Sequence, residues 1–475
     1  MFDIVIIGAG IIGTMLARQL SFYHLKTAVV ERNSDVADGT TMANSAIVHT
    51  GYDPQDGTLK AQLNVQGARM YPSLLQQLHC HHKTTGAFIV ACGEKEEEHL
   101  SLLMQRADQR GIPYRVLTGQ QARKEEPHLS DQVTKVIDFY TTQVIYPWEV
   151  ALRCMENAVN NGTKLYLNTE VTGIEKRETG YRVHSHDRFF DTEMVINCAG
   201  VNAPLIHDMV DAHRDYEITP RKGEYYVLDH DCTPVSHIVF PVPGPAGKGV
   251  LAVPTVYGNT LIGPNALECD GDDVSTTSQG LQAVRKAITK TLKDMPMGHN
   301  IRTFAGIRAT SNRRDFIIEE VKGAPGFIDS AGIESPGLAS APAIADRIVH
   351  QFVEPRLHPS ANPQAETTVQ PPVIMSELSI EKQNEMIRKN PLYGKIVCRC
   401  ENVSEQEIID CIHRPVPATT IRAVKKRVRP GMGRCQGGFC QPSVLRILAR
   451  ELGIAETEVC LNEPGSTVLV RENRL

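Results

Sequence analysis

The first 31 residues constrain the fold more than anything else in the chain. Residues 4–7, Ile-Val-Ile-Ile, are a β-branched run of the kind buried in a parallel sheet. Gly8-Ala9-Gly10-Ile11-Ile12-Gly13 follows without a gap, residues 14–21 carry apolar side chains at helical spacing, and a second strand, 27–30, ends on Glu31. Gly8 permits a tight turn, Gly10 lets the backbone approach a pyrophosphate, and Gly13 lets the helix pack close to the strand. The helix start presents free N–H groups and a partial positive charge to phosphates. Glu31 lies about 18 residues beyond Gly13, where an acid accepts hydrogen bonds from a ribose hydroxyl. A glycine turn in an ordinary α/β unit is the plain alternative; strand, turn, helix, strand and acid in this order favour a nucleotide site.

The 475 residues are enough for about three domains. A net charge of −5 and a pI near 6.4 give no support for nucleic acid as a partner. No apolar run reaches the roughly 18 residues of a membrane helix, and the N-terminus has no basic stretch ahead of its apolar run, so neither a transmembrane segment nor a signal peptide is expected. The expected location is cytoplasmic, or peripheral to a membrane through a partner. Twelve cysteines in such a chain point to reduced thiols or metal rather than disulfides.

Further along, residues 88–91 read as a strand, 94–110 as a charged helix, and 216–262 as strands alternating with Gly/Pro turns, which suggests an antiparallel sheet. Residues 327–332 run again from strand into glycine. Residues 354–373 are rich in proline and polar residues and read as a linker; a second module starts near Asn390.

These residues resemble the glycine-oxidase and D-amino-acid-oxidase superfamily of FAD enzymes, and within it the glycerol-3-phosphate dehydrogenase and L-2-hydroxyglutarate dehydrogenase branch. The resemblance spans residues 2–352. It rests on Gly8, Gly10, Gly13 and Glu31, on Asn197-Cys198-Ala199-Gly200, on Ala305-Gly306-Ile307-Arg308, and on Gly332-Ile333-Glu334-Ser335-Pro336-Gly337-Leu338. In that family the last segment returns to the flavin, which selects FAD over a nicotinamide. The resemblance also implies that Ile12, Arg32, Thr41, Asn44, Ser45 and Val171 contact the cofactor. The implied fold is a doubly wound, Rossmann-like α/β FAD-binding domain (1–81, 141–215 and 305–352) with an inserted substrate domain of mixed or antiparallel sheet (82–140 and 216–304). A linker (353–389) and a small helical C-terminal domain (390–475) follow.

Oxidising an alcohol with a flavin requires the substrate C–H to face the ring, a base for the hydroxyl proton and a cation for the anionic end. By resemblance His49, in residues 45–51, is the base, and Arg308 is the anion clamp through paired guanidinium hydrogen bonds. A structural histidine and a structural salt bridge are the alternatives. Lys222 is a further candidate, and Arg313 and Arg314 could add charge for a dianion, although a solvated role suits them better. Ala309 stands where the family often has proline, and residues 57–61 look more like the hydroxyglutarate branch.

Cys398-Arg399-Cys400 and, after 34 intervening residues, Cys435 and Cys440 make a CxC…CxxxxC pattern. It resembles the bacterioferritin-associated-ferredoxin-like [2Fe–2S] domain; a four-cysteine zinc site is the competing reading. Ser404 and Glu407 read as a capping box. The basic run Arg422, Lys425, Lys426, Arg427, Arg429 reads as a solvated helix face, with a docking surface for an electron partner as the alternative. The resulting expectation is a dehydrogenase oxidising sn-glycerol 3-phosphate to dihydroxyacetone phosphate. It would pass electrons through the cluster to a second redox flavoprotein or a quinone-linked subunit. L-2-hydroxyglutarate or an amine or imino acid are the other substrates considered, and a non-enzymatic redox scaffold is the rival class.

Overall fold

The computed structural model describes residues 1–244 and 249–471. Residues 245–248, within the stretch expected to form an antiparallel sheet, and 472–475, at the end of the cysteine module, lie outside the described residues.

The opening motif folds as its residue types dictate. Strand Phe2–Ile7 runs parallel to Thr27–Val30 on one side and to Phe189–Asn197 on the other, and strand Phe327–Ala331 extends the parallel set. These strands are nearly all buried, since helix Ile11–Leu20 and its neighbours cover the sheet. An antiparallel hairpin, Val171–Lys176 and Tyr181–Ser185, completes one edge of this eight-stranded sheet.

The second sheet has nine strands and is mixed. Its long members are Ile218–Leu228 and Asn300–Ser311, paired antiparallel, and Ala87–Ala91 runs parallel to Ile238–Pro241 within it. Strand Asn300–Ser311 continues seven residues past position 304, so Arg308 belongs to this sheet. Each sheet has its own apolar core.

The C-terminal module is a third core. It packs helices Glu405–Ile412, Ile421–Val428 and Gln441–Leu452 around a short ribbon, Ile396–Cys398 with Val403–Ser404. The Ser404–Glu407 capping box is present in full. The proline-rich stretch is not a loose tether. Arg18 donates to the Thr367 carbonyl at 2.9 Å, Asn157 to that of Glu366 at 2.8 Å, and Val369 is buried in the first core. Its backbone satisfies its polar groups against the first domain, so the segment lies along that domain as a strap.

Candidate active site and metal centre

The loop after Glu31 folds back over the glycine turn and is fixed by its own polar side chains. Thr41 Oγ1 accepts the Ile11 N–H at 2.9 Å, Thr40 Oγ1 donates to the Ile307 carbonyl at 2.7 Å, and Asn44 Nδ2 donates to the carbonyls of Thr40 and Thr41. Gly306 makes the contact possible, because a Cβ there would overlap the Ala43 carbonyl. The first domain and the long strands of the second thereby enclose a cleft of about 1730 Å³.

Most of the residues expected at the cofactor line this cleft: Gly8, Gly10, Ile12, Glu31, Arg32, Thr41, Asn44, Ser45, Val171, Ala199, Gly200 and residues 333–338, with His49 and Arg308. Gly13 and Gly332 act from behind it. A Cβ on Gly13 would overlap the Gly8 carbonyl, and Gly332 takes a φ of +65° at the end of its strand. Helix Gly337–Ile348 begins at the cleft, a second helix start beside the first.

The cleft fits FAD on its own geometry. It combines the glycine turn and helix start that phosphates require with a buried carboxylate at the end of the second strand. Glu31 accepts the Ala9 N–H on one oxygen at 2.7 Å and the Asn33 N–H on the other at 2.9 Å. A carboxylate has about four lone-pair sites, so two remain for ribose hydroxyls. Burial raises the Glu31 pKa, with the two N–H groups pulling the other way.

The substrate side follows from strand register. Thr219 lies opposite Thr310, Arg221 opposite Arg308, Gly223 opposite Gly306 and Tyr225 opposite Phe304. Directly opposed residues project from the same face, and Thr219, Arg221, Tyr225, Arg308 and Thr310 all line the cleft. Lys222 is one place out of step. It projects from the other face, where it is buried against Asp273 at 2.5 Å, so the structure places this candidate away from the site. Arg221 takes its place on the cleft. The alternation Thr219, Arg221, Gly223, Tyr225 is the sequence signal that identifies it, once the phase of the strand is known.

Arg308 lies across Gly223, where a Cβ would overlap its guanidinium, and donates to the Asn265 carbonyl at 3.1 Å. No carboxylate is within ion-pair reach of it among the described residues. Arg221 has a single 3.4 Å contact, with exposed Glu268. Two like charges directly opposed on a sheet repel, and this pair faces open space. His49 is 9% exposed, with its ring centroid 5.7 Å from that of Phe240 and its carbonyl accepting from Asn64 at 2.7 Å. Tyr225 stacks on Phe304 and its hydroxyl is 3.0 Å from Ser45 Oγ. Glu334 is held by Lys60 and Thr310, both at 2.8 Å. Arg314 lines the cleft, whereas Arg313 is taken by Asp215 and Glu319.

The four predicted cysteines come together as two pairs. Cys400 and Cys435 Sγ are 3.7 Å apart, the separation of two thiolates on one tetrahedral metal with bonds of about 2.3 Å. Cys398 and Cys440 are the other pair, near enough for each to shift the ionisation of its neighbour. Among the described residues no three ligating groups converge on one point. Two pairs are the donor arrangement of a two-iron cluster, one pair to each iron. The Cys398 pKa is lowered to about 6 by the Cys440 thiol and by backbone N–H groups of Gly431, Glu401 and Cys400. The N–H groups of Phe439 and Gly437 lower that of Cys435. The glycines permit this approach: a Cβ on Gly433 would lie 2.5 Å from Cys400 Cβ.

The basic run does not face solvent. Lys426 is 1% exposed at its side chain and holds Asp35 and Asp38, both at 2.8 Å, and the Val36 carbonyl at 2.6 Å. Arg427 grips Asp35 with two nitrogens at 2.8 and 2.9 Å, Arg414 binds Glu156, and Arg429 bonds Tyr146 and Glu401 while lying 3.7 Å from the Tyr257 ring centroid. Burial raises the Asp35 pKa, but Arg427 and Lys426 more than reverse this and hold it below the usual carboxylate range. The run joins the module to the first domain. Asp35 and Asp38, which hold Lys426 and Arg427, lie nearly 400 residues earlier in the chain, so no local pattern announces them.

Comparison with known proteins agrees with this division. Residues 3–351 match the FAD dependent oxidoreductase family, and residues 396–450 match the BFD-like [2Fe-2S] binding domain. The chain is 43% identical over 474 residues to glycerol 3-phosphate dehydrogenase of Caloramator mitchellensis, covering 99% of this chain and 98% of that one. It is 33% identical over 368 residues to glycerol 3-phosphate oxidase of Mycoplasma genitalium, covering 73% and 93%. The dithionite-reduced, FAD-bound L-alpha-glycerophosphate oxidase of Mycoplasma pneumoniae superposes with a TM-score of 0.75 at 29% identity, over 78% of this chain and 99% of that one.

Proposed function

The chain belongs to the FAD-dependent oxidoreductase family, with FAD and a [2Fe–2S] cluster as its cofactors, and from that premise we propose that it oxidises sn-glycerol 3-phosphate to dihydroxyacetone phosphate and passes the electrons through the cluster to a redox partner. The observation that carries the substrate is the opposed pair Arg221 and Arg308, left without strong carboxylate partners on the cleft face. A phosphate dianion between two guanidiniums relieves their repulsion and takes paired hydrogen bonds from each.

In this reading Arg308, seated over Gly223 and anchored to Asn265, fixes the phosphate, and Arg221 supplies the second charge. His49 accepts the hydroxyl proton at an imidazole nitrogen as the carbon becomes a ketone. The Phe240 ring and the Asn64 bond to the His49 backbone keep that imidazole in place. Bound FAD supplies the two-electron acceptor for the substrate hydride. Glycines 8, 10 and 13 with Glu31 hold the cofactor, and Cys398, Cys400, Cys435 and Cys440 hold the cluster. The partner is a second redox flavoprotein or a quinone-linked subunit. Among the described residues no helix is long and apolar enough to cross a membrane.

Anaerobic bleaching of the flavin absorbance tests this. Glycerol 3-phosphate is expected to reduce the flavin, and L-2-hydroxyglutarate, glycine and proline to leave it oxidised. His49→Ala is expected to retain FAD while slowing reduction by about 10²–10⁴-fold. Bleaching by the hydroxy acid alone would replace the substrate, and an unchanged rate at saturating substrate would remove His49 as the base.

A further inference from the structure

Three cations lie between the cleft and the cysteine loop with one long carboxylate contact among them. Arg422, on helix Ile421–Val428, lines the cleft and reaches Met42 Sδ at 3.3 Å. Its nearest acid, Asp38, is 4.0 Å away and already held by Lys426. On the same helix, Lys425 packs against Gly431, where a Cβ would be 3.8 Å from Lys425 Cδ, and the Gly431 N–H is directed at Cys398. Arg302, from the long strand of the second sheet, reaches Gln436 at 3.4 Å, next to Cys435. Among the described residues neither Arg302 nor Lys425 has an ion-pair partner. The cations act on one another: burial, then Arg302 and Arg422, lowers Lys425 to about 8, and burial followed by Arg422 lowers Arg302.

Elsewhere in this junction the buried cations are paired, as with Lys426, Arg427 and Arg414. Arg422 and Lys425 are half-buried and Arg302 reaches the surface, and like charges gathered at one place repel, so an anion is the natural counterpart of these three. A two-iron cluster on four thiolates is an anion, and its net charge and surroundings set its potential. Taking up one electron makes it more negative by one charge. We infer that Arg302, Arg422 and Lys425 form a positive bridge that stabilises the reduced cluster, raises its reduction potential and so draws electrons from the cleft to the cysteine loop. The bridge rests on the reading that the four cysteines hold the cluster and that it accepts, one at a time, the two electrons that substrate oxidation delivers to FAD, passing each to a one-electron carrier.

Redox titration of the holoenzyme, followed by the electron paramagnetic resonance signal of the reduced cluster, tests the bridge without turnover. Arg302→Gln and Lys425→Gln together are expected to shift the cluster potential negative by about 59 mV or more, a tenfold loss of electron affinity for a one-electron couple. Lys425→Arg is expected to keep the wild-type value. Arg302 lies outside the module, so Arg302→Gln alone decides the matter should Lys425→Gln lose iron. Unchanged potentials with intact iron content would overturn the bridge and leave the proposed electron path standing. Shifted potentials with unaltered turnover by a one-electron acceptor would uphold the bridge and remove the path through the cluster.

Discussion

The arginines of the cleft and those of the domain junction receive opposite treatment. Arg221 and Arg308 oppose each other across a ladder and face open space. Lys426 and Arg427 lie one after the other in the sequence and are held by the buried carboxylates of Asp35 and Asp38. The charges are the same; the difference is whether the chain supplies the counter-ion. A cation the protein neutralises itself serves as structure, and a cation it leaves unmatched beside a cavity is kept for a ligand.

Removing a counter-ion should show which is which. Asp35→Asn leaves Lys426 and Arg427 buried without their shared carboxylate. Breaking a buried pair in this way costs about 3–5 kcal/mol, so the C-terminal module should unfold at markedly lower denaturant while flavin reduction by substrate persists. Wild-type stability in this variant would mean that the junction does not depend on the pair.

At the cleft, Arg308→Ala should raise KM for glycerol 3-phosphate by about ten- to one-hundred-fold, the worth of hydrogen bonds to a charged group at about 1.5–3 kcal/mol, and leave the thermal midpoint nearly unchanged. Arg221→Ala should act in the same direction and less strongly. Lys222→Ala, on the opposite face, should leave KM unaltered. A KM effect at Lys222 equal to that at Arg308 would break the assignment by strand face.

The junction should also respond to acid. The folded-state pKa of Asp35 lies below its unfolded value near 3.9. Its contribution is therefore complete above that pH and is lost as the pH falls toward the folded value. Proteolysis at the strap around residues 358–374 should be slow from pH 7 to about 5 and accelerate below about 4; a flat profile across this range would separate the junction from Asp35.

What the sequence disclosed and what it hid divide along the same line. Gly8, Gly10, Gly13 and Glu31 lie within one supersecondary unit, and the four cysteines announce themselves by spacing, so both were legible. Lys222 was misplaced because side chains alternate along a strand and only its register against Asn300–Ser311 fixes the phase. The run from Arg422 to Arg429 read as solvated because Asp35, Asp38 and Tyr146, which hold Lys426, Arg427 and Arg429, are remote in sequence. Residues 354–373 read as a linker for the same reason: Arg18 and Asn157, which bind carbonyls within this stretch, lie far upstream.

The division into a cleft that reacts and a module that relays is tested most directly by Cys435→Ser. Removing one thiolate should weaken or abolish the cluster while the first two cores stay folded. In anaerobic stopped flow, glycerol 3-phosphate should reduce the flavin of this variant at the wild-type rate, and turnover with the redox partner should fall sharply. Normal turnover with that partner would contradict the account and make the module structural.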